Sequence, residues 1–146
     1  MLIQFHDFIA NELIDFAVIA ALYEGQWLFC RHRERTTYEL PGGHCEPDES
    51  PLQAACRGLE EETGAIDYEI CPICVYSVTN PSDKKANLRT TYGILCIAHI
   101  KILGPLPNLE IAEVLPLDPN ILSPEQWTYP LIQPLLLTKV QHFLAQ

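Results

Sequence analysis

Glu61 and Glu62 are the two residues of this chain best placed to do chemistry together, because both stand on one side of an expected helix. Helix signals bracket residues 51 to 63. Ser50 before Pro51 is an N-cap with proline at the first helical place, Gln53 completes a capping box, and Gly64 is a natural terminating residue. With Gly58 set at 0° and ~100° per residue, Glu61 falls at about −60° and Glu62 at about +40°, while Glu60 falls at about 200°, on the far side. Two converging carboxylates, with a backbone carbonyl from the tight Gly42–Gly43 turn, suit a hard cation such as Mg2+, which takes oxygen ligands and keeps several waters. A cation held there could neutralise charge on the oxygens of a bound group and activate a water. A solvated acidic helix face is the other reading of Glu60-Glu61-Glu62.

Phosphate contacts have candidates outside the helix. Arg31, Arg33 and Arg35 alternate just before the Pro41-Gly42-Gly43 turn and share a strand face if the strand reaches that far. Their planar forks suit phosphate oxygens, and a solvated basic loop is the alternative. Lys84, Lys85 and Arg89 are further candidates. His44 reads as a surface loop residue and His99 as a core or edge residue of an apolar run. Among the aromatics Tyr38, Tyr76, Tyr92, Trp127 and Tyr129, most belong to a core, and Trp127-Thr128-Tyr129-Pro130 is the group best placed to stack on a base.

The elements that must position these residues follow from periodicity. Residues 13–23 read as a buried strand and Gln26 to His32 as a second, joined by a Glu24-Gly25 turn. Leu52, Ala55, Cys56, Leu59 and Thr63 are the expected sheet-facing side of the helix. Residues 66–78 and 88–101 are strand-rich runs joined by a polar loop or hairpin tip at 80–85. A short strand over 110–117 and a helix over 131–144 complete the chain. Strands on both sides of one amphipathic helix, with a second helix at the end, predict a mixed sheet between helices.

Composition sets limits. The chain has 146 residues, 48% of them hydrophobic and 19% charged, as a single globular domain would. A formal net charge of −10 argues against a nucleic-acid footprint, which needs a basic face, but not against a small phosphate ligand reached through a cation. No apolar run approaches the roughly 20 residues of a membrane span, and the N-terminus lacks a basic signal region, so the cytoplasm is the expected location. The six cysteines are scattered. The Cys71-Pro72-Ile73-Cys74 pair lies in a strand-like run without partners for zinc, so buried free thiols are expected.

The stretch from Gly43 to Ala65 resembles the Nudix box, G-x5-E-x7-R-E-U-x-E-E-x-G-U with U apolar. Gly43, Glu49, Arg57, Leu59, Glu61, Glu62 and Gly64 fall in register, Ala65 fits the last apolar place weakly, and Gly58 stands where the family carries a glutamate. The resemblance implies an α/β fold, an α/β/α sandwich with a mixed β-sheet, as one Nudix hydrolase domain over residues 1–146. It implies a Mg2+-dependent hydrolase, with Mn2+ as a substitute, of nucleoside di- or triphosphates or nucleoside diphosphate derivatives. Homodimers are common in the family. Carried over by position, Glu61, Glu62 and the Gly42 carbonyl hold metal, while Glu49 and Arg57 brace the loop, so that Arg57 joins the catalytic set. Arg31 and Arg33 are then the expected phosphate contacts.

The glutamate missing at Gly58 binds metal or takes the proton from water in several members. A base from a distal loop can replace it, with Glu110 preferred to Glu113, since residues three apart in a strand face opposite sides. A weak enzyme acting by metal and positioning, or a nucleotide-binding or regulatory module, are the other readings. In the antimutator branch, which clears oxidised guanine nucleotides, an asparagine near the last helix reads the purine. Thr128, the substrate-binding candidate, stands in that neighbourhood instead of the asparagine, so these residues leave 8-oxo-dGTP as one substrate of the class without singling it out.

Overall fold

The computed structural model describes residues 1–81, 88–107 and 110–146. Lys84, Lys85 and most of the loop expected at 80–85 lie outside the described residues. Seven strands are described: β1 (Leu2–His6), β2 (Ile14–Tyr23), β3 (Gln26–His32), β4 (Gly42–His44), β5 (Ala65–Pro81), β6 (Leu88–Leu103) and β7 (Ile111–Pro116). The helices are α1 (Pro51–Thr63) and α2 (Gln133–Leu144). The strand order is β1-β5-β6-β2-β3-β7, with β4 also paired to β2. β2 runs parallel to β6 and the other pairings between the described strands are antiparallel, so the sheet is mixed.

Period-two alternation divides the core into two layers. Ala17, Ile19 and Ala21 of β2 pack with Ala55 and Leu59 of α1 on one face. Val18 and Ala20 pack with Leu136, Leu137 and Val140 of α2 on the other. Apolar residues on both faces of the central strands require a helix on each side, which is the α/β/α sandwich. No helix among the described residues is long and apolar enough to cross a membrane.

Helix α1 has the bounds its local signals predict. The Ser50 side chain accepts from the Gln53 amide at 3.1 Å, the Ser50 amide donates to Gln53 Oε1 at 2.8 Å, and Gly64 closes the helix at φ +80°. Its buried face differs from the expected one. Pro51, Ala54, Ala55, Gly58, Leu59 and Thr63 are buried, whereas Leu52 is exposed and Cys56 half-buried. The contact face is rotated toward Gly58, because β4 lies against that residue.

Three further differences have local causes. Gly42–His44, expected as part of a turn, pairs with β2 through Phe16↔His44, Ala17↔Gly43 and Val18↔Gly42. β1 carries no strong pattern of its own and forms by pairing with β5. β7 begins at Ile111 and leaves Glu110 in a turn, and α2 begins at Gln133, past Pro130. His99 is exposed and not a core residue. All six cysteines are free thiols, but only Cys30, Cys74 and Cys96 are buried; Cys45 and Cys56 are half-buried and Cys71 exposed.

Removing the capping hydroxyl in Ser50→Ala is expected to cost about 1 kcal/mol of stability. It should appear as a lower urea midpoint at unchanged slope.

Candidate active site

Glu62 is the centre of the site. Its side chain is only 13% exposed, and its Oε1 accepts the Gly42 amide at 2.9 Å. The Cys30 thiol, kept protonated by burial, lies 3.9 Å from the same oxygen. His32 Nε2 stands between two carboxylates, 3.5 Å from Glu62 Oε2 and 3.7 Å from Glu39 Oε2. Burial pushes the Glu62 carboxyl up to about 7; the Gly42 amide opposes this, and the charges of Glu39, Glu61 and Glu110 add to it.

Arg57 ties the loop before α1 to the helix. Its fork meets Glu49 at 2.6 and 2.9 Å, its Nη2 donates to the His44 carbonyl at 2.6 Å, and its Nη1 lies 3.3 Å from Glu61 Oε2. Glu49 also accepts from the Glu46 amide at 3.0 Å. These bonds hold the Glu49 carboxyl below its ordinary range, with the Arg57 contact contributing most. Glu61, on the exposed side of this network, points back along the helix to Arg57. Glu60 lies on the far face and accepts from the Tyr68 hydroxyl at 2.6 Å.

A cleft of about 370 Å³ opens beside Glu62, with Phe16, Tyr76, Tyr129, Arg35, Glu39 and Gln133 among its walls. Phe16 and Tyr76 lie 5.8 Å apart, and a β-carbon on Gly93 would run into both rings, so this glycine is what lets them settle over β6. Arg35 Nη1 donates to Glu39 Oε1 at 2.8 Å, and its guanidinium lies 5.9 Å from the Tyr129 ring centre. Gln133, buried at the start of α2, lines the cleft and accepts the Leu40 amide at 2.8 Å through Oε1. A second groove of about 330 Å³, lined by Pro119, Leu122, Pro124, Pro130 and Pro134 among others, has no acidic residue among the described residues of its walls.

The structure sorts the expected site residues. Gly42, Glu61, Glu62 and Arg57 come together. Glu110 sits in the turn before β7, where its carbonyl accepts the Arg33 amide at 2.9 Å and its charge reaches Glu62. Glu113 is taken by Arg31 at 2.8 Å. Arg31, Arg33 and Thr128 are not among the described residues lining the cleft. Arg31 faces β7, and β3 ends at His32, so Arg33 and Arg35 lie beyond the alternation that was to align the three arginines. Thr128 shares a hydrogen bond with Thr37 at 2.8 Å, and its neighbour Tyr129 faces the cleft in its place. Trp127 is a core residue packed edge-on against Phe29 at 5.3 Å. His44 is exposed, as expected, and borders the cleft.

Sequence reading missed His32, Glu39, Arg35 as the cleft arginine, and Gln133. Glu39 leaves a trace, a charge set between Tyr38 and Leu40 just before the glycine turn. Gln133 leaves none.

Among the described residues no three His, Cys, Asp or Glu side chains gather as a metal-holding group. The expected donor set contains only two side chains, Glu61 and Glu62, with the Gly42 carbonyl as the third oxygen. That carbonyl faces the side of α1 that carries residue 58, one turn before Glu62. An all-oxygen set this small fits, in kind, a hard cation completed by water and phosphate.

The raised Glu62 carboxyl has a stability consequence in metal-free protein. Because the folded state holds this proton more tightly than the unfolded chain, wild-type stability falls as pH rises from about 4.5 to about 7. Below that window the penalty is absent; above it the penalty is complete, about 3 kcal/mol at most. Glu62→Gln keeps an acceptor for the Gly42 amide and does not titrate. Denaturation in EDTA should therefore show the variant gaining on the wild type through this window, and a constant difference would show that Glu62 titrates normally.

A profile of the NUDIX domain matches residues 14–116. The Bacillus subtilis (strain 168) protein provisionally named 8-oxo-dGTP diphosphatase YtkD is 49% identical over 43 residues, which is 30% of this chain and 27% of that protein. The match thus spans about a quarter of the curated relative's length. The crystal structure of the Bacillus subtilis pyrophosphohydrolase BsRppH superposes with a TM-score of 0.76 at 22% identity, covering 96% of this chain and 90% of that one. The NUDIX domain of Shewanella oneidensis NrtR, solved with ADP ribose, superposes with a TM-score of 0.60 at 17% identity, covering 94% and 90%. At these identities the two structures speak for the fold alone. The profile match covers well over half of the chain and includes the glycine turn, Arg57, Glu61 and Glu62, so this protein belongs to the NUDIX domain family.

Proposed function

We propose that this chain hydrolyses phosphoanhydride bonds with the help of Mg2+, or of Mn2+ in its place. Its substrate class is nucleoside di- or triphosphates and nucleoside diphosphates joined to a second group. The observation that carries the reading is Glu62, a carboxylate with little exposure held by the Gly42 amide beside a cleft with aromatic walls. Glu61, Glu62 and the Gly42 carbonyl would hold the ion, whose chemistry is to withdraw charge from phosphate oxygens and to lower the pKa of water. Arg57 keeps Glu61 and the glycine turn in place through Glu49 and His44. Glu110 is the carboxylate we assign as the further base, because its charge already acts on Glu62. Arg35, at the cleft wall, takes the phosphate role first expected of Arg31 and Arg33. Phe16, Tyr76 and Tyr129 offer faces to a base, with the Gln133 amide as a donor at its edge. Oxidised guanine nucleotides such as 8-oxo-dGTP are the first members of the class to test, on the strength of the YtkD likeness.

A second reading, a nucleotide-binding module that does not turn over, is favoured by Gly58 and by the lack of a third side-chain ligand among the described residues. The two separate on incubation with Mg2+ and a panel holding 8-oxo-dGTP, ordinary nucleoside triphosphates and ADP-ribose, with released phosphate, pyrophosphate and monophosphate resolved by ion-exchange chromatography. Turnover should require the ion and fall on the order of 100-fold or more in Glu62→Gln. Glu110→Gln should cost about 100-fold if it is the base. Nucleotide binding without release of any product would overturn hydrolysis in favour of the binding module.

A further inference from the structure

A β-carbon on residue 58 would stand 2.8 Å from both the carbonyl carbon and the carbonyl oxygen of Gly42, and 3.2 Å from the Gly43 amide nitrogen. Non-bonded carbons rest at about 3.5–4.0 Å, so only hydrogen fits between α1 and β4 here. The Gly42 peptide has no room to retreat. On its other side it is in register with Val18 of β2, and a β-carbon on Gly42 would run into the Ala17 carbonyl oxygen. Helix α1 is equally committed, since Ala54, Ala55 and Leu59 are completely buried beneath it. One turn beyond residue 58 on the same side of the helix, Glu62 receives the Gly42 amide at 2.9 Å.

We propose that Gly58 is a positioning residue: its missing side chain sets the distance between the Gly42 peptide and the Glu61 and Glu62 carboxylates. The inference rests on the metal assignment of the proposed function and deepens it. The departure from the box pattern is then a remodelled site and not a decayed one. A carboxylate placed at 58 would have to displace the carbonyl assigned to the ion.

Gly58→Ala discriminates, because helix propensity and steric fit act in opposite directions. Alanine is the better helix former, so a glycine with no role here would be improved by it, with a higher Tm and unchanged affinity for Mn2+. The positioning role predicts a lower Tm and Mn2+ affinity weakened by about tenfold or more, read by calorimetry on metal-free protein. It also predicts a fall in kcat with little change in the KM for nucleotide. Gly58→Glu should behave in the same direction. Unchanged Mn2+ affinity in a folded Gly58→Ala protein overturns the proposal even if Tm drops, and so does a gain in kcat in Gly58→Glu. If both variants fail to fold, the wild type decides: a nuclear Overhauser contact between the Gly58 α-protons and the Gly43 amide proton supports the close approach, and its absence sinks it. Wild-type protein that binds no Mn2+ would remove the metal assignment itself, whereas wild-type binding that survives Gly58→Ala removes only the role of Gly58.

Discussion

One peptide group, that of Gly42, is held between a strand and a helix, and the rest of the site depends on that contact. β2 presses on it from one side and Gly58 of α1 from the other, with hydrogen alone in the gap. The approach turns α1 so that Gly58 is buried and Leu52 is left outside. It also carries Glu62 under the glycine turn, where the carboxylate is at once desolvated and given a backbone donor. Burial and the amide act oppositely on its proton, and burial prevails. A looser helix would leave Glu62 in water as an ordinary surface glutamate.

The charges around this contact have separate tasks. Arg57 works as a clamp, spending its fork on Glu49 and the His44 carbonyl so that the loop before α1 keeps one shape. Arg35 balances the buried Glu39 and still faces the cleft. Glu39, Glu61, Glu62 and Glu110 then leave an excess of negative charge near one point, in a chain that is already acidic. A divalent cation held there, as proposed, would reverse that sign for an incoming phosphate and would reconcile a net charge of −10 with the proposed ligand class.

Much of the framework is legible in the residues because its causes are local. The cap of Ser50 and Gln53, the left-handed turn at Gly64 and the period-two runs of β2 and β3 need no distant partner, and their bounds come out nearly as read. Helical geometry also separates Glu60 from Glu61 and Glu62, and Glu60 is indeed on the far face, bonded to Tyr68. β1 and β4 were not legible, since each is a strand only by virtue of the neighbour that pairs with it. The alignment of three arginines failed for a related reason: alternation holds only while the strand continues, and β3 ends at His32, before Arg33 and Arg35. Thr128 lost its expected place to Tyr129 because Thr37, 91 residues away in the chain, holds its hydroxyl.

The sequence by itself determined the family pattern, the helix that carries Glu61 and Glu62, and the ordinary globular balance of the chain. Spacing along one helix is enough to bring those carboxylates to one side. Only the tertiary structure decided which groups surround them. His32, Glu39 and Gln133 reach the cleft from β3, the segment after it and α2, and Gln133 accepts the Leu40 amide there. It also decided the meaning of Gly58. In the sequence this residue is a missing carboxylate inside a helix. In the fold it is the space that a backbone on another element occupies, a property of two surfaces in contact that no single segment can record.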